Sequence, residues 1–294
     1  AYQCYGEPDW RLRTGSTSED GNVRERYASA EEAIAVADRI REELEVGISR
    51  DVDRARREVE ALEGGAGEKG WKERPEVAAA LGAVRGELGD FAEAIAHFER
   101  AVAAERTCFP VRVLEQMASY EARLAIRRYM TGSRDDAGRN AAVEAVQQAE
   151  KRIRELAAIC GETSERWSLR GSCQKRLAQI LMPEERLAAL ELMASHYEAA
   201  GKAAKSAAFY PALMQAAART LIALQTGKPP PADVTASTDR MAAGAEGDFW
   251  QEVNVVDAKV LQAVQAGRMP RELEAEIHAA YRSAWRHGGS PLKL

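Results

Sequence analysis

Residues 81–102 read LGAVRGELGDFAEAIAHFERAV, and this stretch decides the fold. Leu81-Gly82, Gly89, Phe91, Ala94, Phe98 and Ala101 have the sizes that a helix–turn–helix repeat needs. Gly82 and Ala94 let two antiparallel helices approach closely. Gly89-Asp90 makes the turn between them. Phe91 and Phe98 fill the space between neighbouring hairpins. One such hairpin cannot bury its own apolar face, so a clear one predicts others stacked against it.

The spacing matches the tetratricopeptide repeat (TPR) consensus except at its first Trp and its Tyr, where Ala78 and Arg85 stand. The resemblance implies an all-α fold: antiparallel helical hairpins stacked as a TPR-like superhelical array, with a concave face suited to binding. Composition agrees. Charged residues reach 30%, aromatics only 6%, and the net charge is -5, which argues against general nucleic-acid binding. No apolar run approaches the roughly 18 residues of a membrane span. The polar opening AYQCYGEPDW does not read as a signal peptide, and a start on Ala1 suggests a segment of a longer polypeptide. Cys4, Cys108, Cys160 and Cys173 show no CxxC pairing, so reduced thiols and a cytoplasmic chain are expected.

Residues 1–26 do not look helical; Tyr2, Tyr5 and Trp10 among glycines suggest a short strand and then a linker. Helical periodicity begins near Ser29, which with Glu32 has capping-box spacing. The expected array covers 27–294. A helix over about 50–63 should stop at Gly64-Gly65-Ala66-Gly67, and the clear repeat follows at about 74–105. Hairpins are expected at about 110–131 with 137–160, and 163–181 with 184–200, where Pro183 suits a helix start. Helices near 203–226 and 248–266 flank Lys228-Pro229-Pro230-Pro231 and the weakly helical stretch 232–243. A last helix covers about 270–286.

Pattern and charge conflict in GETSERWSLRGSCQKRLAQIL, residues 161–181. Leu169, Cys173, Leu177 and Ile180 trace one stripe, and its backward extension gives Arg166 and Glu162, with Arg170 on its edge. A guanidinium on such a face must pair, reach water or meet an anion. One reading is internal pairing, Glu162 with Arg166 or a bridge to a facing helix. The other is a pocket for an anionic ligand. Glu121, which interrupts the apolar face Leu114, Met117 and Leu124, either neutralises Arg166 or Arg170 or accepts a ribose-like hydroxyl. Lys175 and Arg176 point to other faces of their helix and are expected to be solvated, though a neighbouring groove could use Arg176. Tyr210-Pro211 reads as a shape device with Tyr210 offering a stacking surface, and Phe249-Trp250 as an aromatic anchor.

Catalytic and cofactor signatures are missing. His97, His196, His278 and His287 show no metal-ligand pairing, and His97 holds a variable repeat position that should be exposed. There is no P-loop, GxSxG or dinucleotide glycine motif, so no cofactor, no metal and no catalysis by this chain alone is expected.

AYQCYGEPDWRLR resembles the closing strand of a CHAT domain, the caspase-like peptidase domain often fused to TPR arrays in bacteria. VLEQMASYEARLA, GETSERWSLRGSCQKRLA, MASHYEAA, FYPALMQ, DFWQEVNVVDAKVLQAV and AYRSAWRHGGS resemble, in order, the bacterial TPR-like sensor family, TPR-S, over about 110–290. That family is related to the central regulatory region of apoptosis signal-regulating kinases. Its YPxLN-like block is FYPALMQ here, with Met214 in place of the Asn. The resemblance implies a regulatory module of a bacterial conflict or defence system that senses a nucleotide-derived ligand and controls an attached caspase-like protease. Arg166, Arg170, Glu121, Arg176 and Tyr210 are its candidate ligand-binding residues. The alternative is a TPR scaffold that holds a peptide or partner protein.

Overall fold

The computed structural model describes residues 33–44, 52–68, 74–104, 110–204, 209–242, 249–268 and 271–286, and every regular element among them is an α-helix. Helix α1 covers residues 33–44. Then come α2 (Val52–Glu68), α3 (Pro75–Glu87), α4 (Phe91–Ala104), α5 (Val111–Thr131), α6 (Asp136–Cys160) and α7 (Ser164–Ile180). The chain continues with α8 (Pro183–Ala203), α9 (Phe209–Gln225), α10 (Ala232–Ala242), α11 (Phe249–Gln265) and α12 (Arg271–Arg286). These bounds follow the periodicity closely. The expected strand within 1–26 and the Ser29–Glu32 cap lie outside the described residues. Two boundaries differ: α8 runs to Ala203 and α9 begins at Phe209, where the periodicity put its start near 203, and α2 runs past its expected stop. Helix α2 runs through Gly64 to Glu68, because glycine lowers helix propensity by about 1 kcal/mol without forcing a stop. Glu63, held by Arg85 and His97, anchors the turn just before it.

The contacts divide the chain into two compact units between Tyr120 and Glu121. In the first, Ala33, Ala37, Ile40 and Leu44 of α1 share a core with Ala55 and Val59 of α2 and Val77, Leu81, Val84 and Leu88 of α3. Helices α3 and α4 form the repeat hairpin. Gly89, at φ 75, makes its turn in a backbone region that glycine enters without strain. A methyl group at Gly82 would lie 2.5 Å from the Phe98 ring, so the small residue is what lets α4 close down. Tyr120 stacks on Phe91 and Phe98, with ring centroids 5.4 and 5.8 Å apart.

Arg85, which stands where the repeat consensus has Tyr, is buried with its charge matched. It donates to Glu63 at 2.9 and 2.7 Å and to Asp90 at 3.0 Å. His97 is 3% exposed, against the expectation that its variable repeat position faces solvent. The reason is local: Glu63 lies 2.8 Å from its Nε2 and Arg100 lies 2.7 Å from its Nδ1, so both polar atoms are satisfied inside.

In the second unit α6, α7, α8 and α9 pack in sequence, and α9, α10, α11 and α12 continue the series. Asp135 caps α6 by accepting from the Gly138 amide, and Thr163 caps α7 by accepting from the Arg166 amide. Pro183 opens α8, and Pro211 falls in the first turn of α9, where its missing N–H leaves no gap in the ladder. Leu190, Met193 and Tyr197 of α8 pack with Ala218 of α9. Leu213 and Ala216 of α9 pack with Val234 and Met241 of α10 and Ala258 and Leu261 of α11. The side chains of Phe249 and Trp250, expected as an anchor, lie outside the described residues.

Among the described residues no helix is long and apolar enough to cross a membrane. Nor do three His, Cys, Asp or Glu side chains there gather as a metal site. Cys173 is a buried free thiol, but Cys160 is disulfide-bonded, which departs from the expectation of four reduced cysteines.

Candidate functional site

The apolar stripe of α7 carries Arg166 as the spacing predicts, whereas Glu162 lies exposed ahead of the helix. Cys173, Leu177 and Ile180 are buried, Leu169 is half-buried, and Arg166 is buried on the same face. Arg166 donates to the backbone carbonyl of Cys160 at 3.2 Å and to that of Gly161. Those carbonyls lie at the end of α6, where a helix has acceptors to spare and a partial negative charge. A cation there contributes about 1 kcal/mol, up to about 2 when partly buried. Arg166 thus closes the α6–α7 junction, an arrangement that neither sequence reading of this residue considered.

Arg170, one turn on, sits in a different environment. Its guanidinium lies over the Trp167 ring, 4.3 Å from the centroid. Two carboxylates face it at long range: Glu150 of α6 at 3.9 Å and Glu162 at 3.7 Å. These separations are attractive but too long for hydrogen bonds. Glu162 therefore pairs loosely with Arg170, whereas the sequence reading matched it with Arg166. Glu150 has firmer partners: Gln174 donates to one of its oxygens at 2.6 Å, and His196 of α8 lies 3.3 Å from the other. The His196 ring tilts against Trp167 at 5.5 Å. Three helices therefore meet at one half-buried carboxylate.

A second polar group lies further along α7. Arg176 donates to the carbonyl of Ser172 at 2.9 Å and to the Ser172 hydroxyl. The buried Tyr197 ring meets Tyr210 edge-on at 5.8 Å, and their hydroxyls are 3.3 Å apart. Burial, and then the neighbouring Tyr210, push the Tyr197 hydroxyl well above its ordinary pKa. Arg176 and Lys175 are half-buried, not fully solvated, and Lys175 Nζ lies 3.9 Å from the Met214 sulfur. Met214 fills the position where the resembling family has Asn.

Glu121 accepts from Arg152 of α6, a partner that the sequence reading did not propose. The five candidate residues therefore divide among several places. Arg170 has the carboxylates and the Trp167 face, Arg176 and Tyr210 converge around Tyr197, Arg166 holds the α6–α7 junction, and Glu121 belongs to the α5–α6 pair.

Glu150, Gln174 and His196 were missed. Glu150 sits beside the buried stripe Ala142, Val146, Ala149 and Ile153, and a carboxylate at the edge of a helical stripe reads as surface. His196 and Tyr197 fall in the block MASHYEAA, and two polar rings side by side at the core-facing end of an apolar helix were the available signal.

The fold is a series of helical hairpins, as in tetratricopeptide-type repeat arrays. Residues 90–221 match the family model described as Tetratricopeptide Repeats-Sensor, TPR-S, a little under half of the chain. The matched segment holds all of the clusters above. No curated protein and no solved structure matches the chain significantly.

Proposed function

We propose that this chain is a sensor module that binds a phosphate-bearing, nucleotide-derived ligand against α7. In this reading the bound state governs an associated CHAT caspase-like peptidase in a bacterial defence system, as the sequence resemblances imply. The observation that carries the reading is Arg170, a guanidinium spread over Trp167 and held by carboxylates only at 3.7 and 3.9 Å, inside the segment that matches the sensor family. A planar cation of this kind suits bidentate recognition of phosphate. Arg176, further along α7, and Tyr210 of α9 are proposed to contact the remainder of the ligand. Arg166 keeps its helix-end role. A ligand there shifts the module only by its preference for one arrangement of α6, α7 and α8 over another.

Calorimetry of the full chain against nucleoside mono-, di- and triphosphates tests this. Saturable binding of at least one compound, weakened about tenfold or more by Arg170→Ala, is expected, equivalent to about 1.4 kcal/mol. Absence of binding across the panel refutes the reading.

A second reading, a protein-interaction scaffold, draws on Leu192, Leu221 and Leu224, large apolar side chains that are 48%, 44% and 50% exposed on α8 and α9. Under it, Leu192→Asp and Leu221→Asp abolish recovery of a protein partner in pull-downs from the native host, while Arg170→Ala does not.

A further inference from the structure

The chain builds the same triad twice, once closed and once open. In each, a glutamate meets an arginine on the next helix of the hairpin series and a histidine on the helix after that. In the closed triad Arg85 uses all three nitrogens, two on Glu63 and one on Asp90. His97 is equally saturated. Arginine has no acceptor, so Arg100 at 2.7 Å donates to Nδ1, while Nε2 faces Glu63 at 2.8 Å.

The open triad is Glu150, Arg170 and His196. His196 Nε2 is 3.3 Å from Glu150, but its Nδ1 is buried and makes no hydrogen bond. Arg170 Nε, 3.9 Å from the same carboxylate, is also buried without one. The His196 side chain is only 8% exposed, so bulk water does not satisfy it. Two polar atoms facing one cluster, each with a saturated counterpart in the other triad, are an incomplete set that an acceptor between them would complete.

We infer that Glu150, Arg170 and His196 form a receptor for a single oxyanion group, which accepts from Arg170 Nε–H and from a protonated His196 Nδ1. The inference rests on the sensor reading above and adds to it the histidine and a proton. The charges that face the cluster are Glu150 from α6, Glu162 from the α6–α7 loop and Arg170 from α7; Arg166, a turn before Arg170, and Arg176, six residues after it, are turned to backbone carbonyls. With His196 neutral, these three sum to one negative charge. A monoanion would make it two, and a proton taken from solvent onto His196 restores one. Anion binding and His196 protonation are therefore coupled, and each strengthens the other.

The test uses the full chain with labelled histidine; with four histidines in the sequence, His196 is assigned by His196→Gln. Inorganic phosphate and ADP are the probes. Saturating ADP should raise the pH at which His196 titrates by about one unit or more, with proton uptake seen calorimetrically in buffers of different ionisation enthalpy. Phosphate should do the same at higher concentration. Arg170→Met and Arg170→Lys should both remove the shift, since neither has an N–H donor at the Nε position. Glu150→Gln should tighten anion binding while reducing proton uptake, which loss of a purely structural pair would not do. ADP binding with an unmoved His196 overturns the inference and leaves the sensor reading standing. A wild-type chain that binds neither probe overturns the inference, and one that binds no compound of the nucleotide panel overturns the sensor reading as well. An unmoved His196 in phosphate, with Nδ1 exchanging protons only with a bound water, likewise overturns it.

Discussion

Replacing Glu63 by Gln removes the charge that ties α2 to α3 and α4. In the native protein the carboxylate accepts from Arg85 at 2.9 and 2.7 Å and faces His97 Nε2 at 2.8 Å. Burial pushes its pKa upward, but the bonds from His97 and Arg85 outweigh burial and hold it at about 2, against an ordinary 4.5. That difference corresponds to about 3 kcal/mol at most, and partial contact with solvent reduces it to about 2 kcal/mol. The folded value is depressed. The stabilisation is therefore complete above the unfolded pKa near 4.5 and is lost as pH falls from there toward about 2. A whole-chain melt would mix the two units, so hydrogen exchange read peptide by peptide is the better assay. At pH 7, Glu63→Gln should speed exchange of α3 and α4 amides by about 30-fold, the equivalent of about 2 kcal/mol, and leave α7 and α8 unchanged. The gap between variant and wild type should narrow when both are compared near pH 2.5. An effect below about threefold at pH 7, or one that persists undiminished in acid, refutes the reasoning.

Three further outcomes follow from packing and burial. Gly171→Ala places a methyl group 2.8 Å from the Tyr197 ring. The overpacking, about 1–3 kcal/mol, should outweigh the roughly 1 kcal/mol gained in helix propensity, and faster exchange in α7 and α8 would register it. Phe98→Ala empties a fully buried position against Gly82 and Tyr120, and should cost about 3–5 kcal/mol in denaturant titrations of the first unit; a loss below about 1 kcal/mol contradicts the packing described. Burial pushes the Cys173 thiol up to about 12, so it should resist alkylation at pH 8 until the chain is unfolded, as mass spectrometry of its peptide would report.

The helices were legible because their signals are local. The small and aromatic positions of 81–102, the prolines at 183 and 211, and the break at Lys228-Pro229-Pro230-Pro231 each act within a turn or two. The glycine run at 64–67 misled for the complementary reason: local propensity disfavours helix there, while Glu63 is fixed by partners 22 and 34 residues away. The site was legible only by face. The spacing put Arg166 and Arg170 on or beside a buried stripe, which holds. It could not distinguish a guanidinium facing helix-end carbonyls from one facing a carboxylate at long range, because those carbonyls and Glu150 lie on α6 and at its end; the Trp167 ring, three residues before Arg170 on α7, was the local signal. His97 was unreadable on the same ground, since its burial depends on Glu63, 34 residues away.

What opens one triad and closes the other is competition for a carboxylate. Arg85 takes both oxygens of Glu63 in a fork and finds Asp90 for its remaining nitrogen. Among the described residues nothing comparable is available to Arg170. Gln174, on the same face of α7 one turn later, occupies one oxygen of Glu150 at 2.6 Å, and His196 approaches the other. A fork from Arg170 would have to share both. Its guanidinium instead rests on Trp167, where stacking satisfies the plane but not the Nε–H. One amide side chain thus separates a fixed strut from a guanidinium with a bond still to make, and any anion that displaces Arg170 from its long contacts must also disturb the carboxylate to which α6, α7 and α8 are all joined.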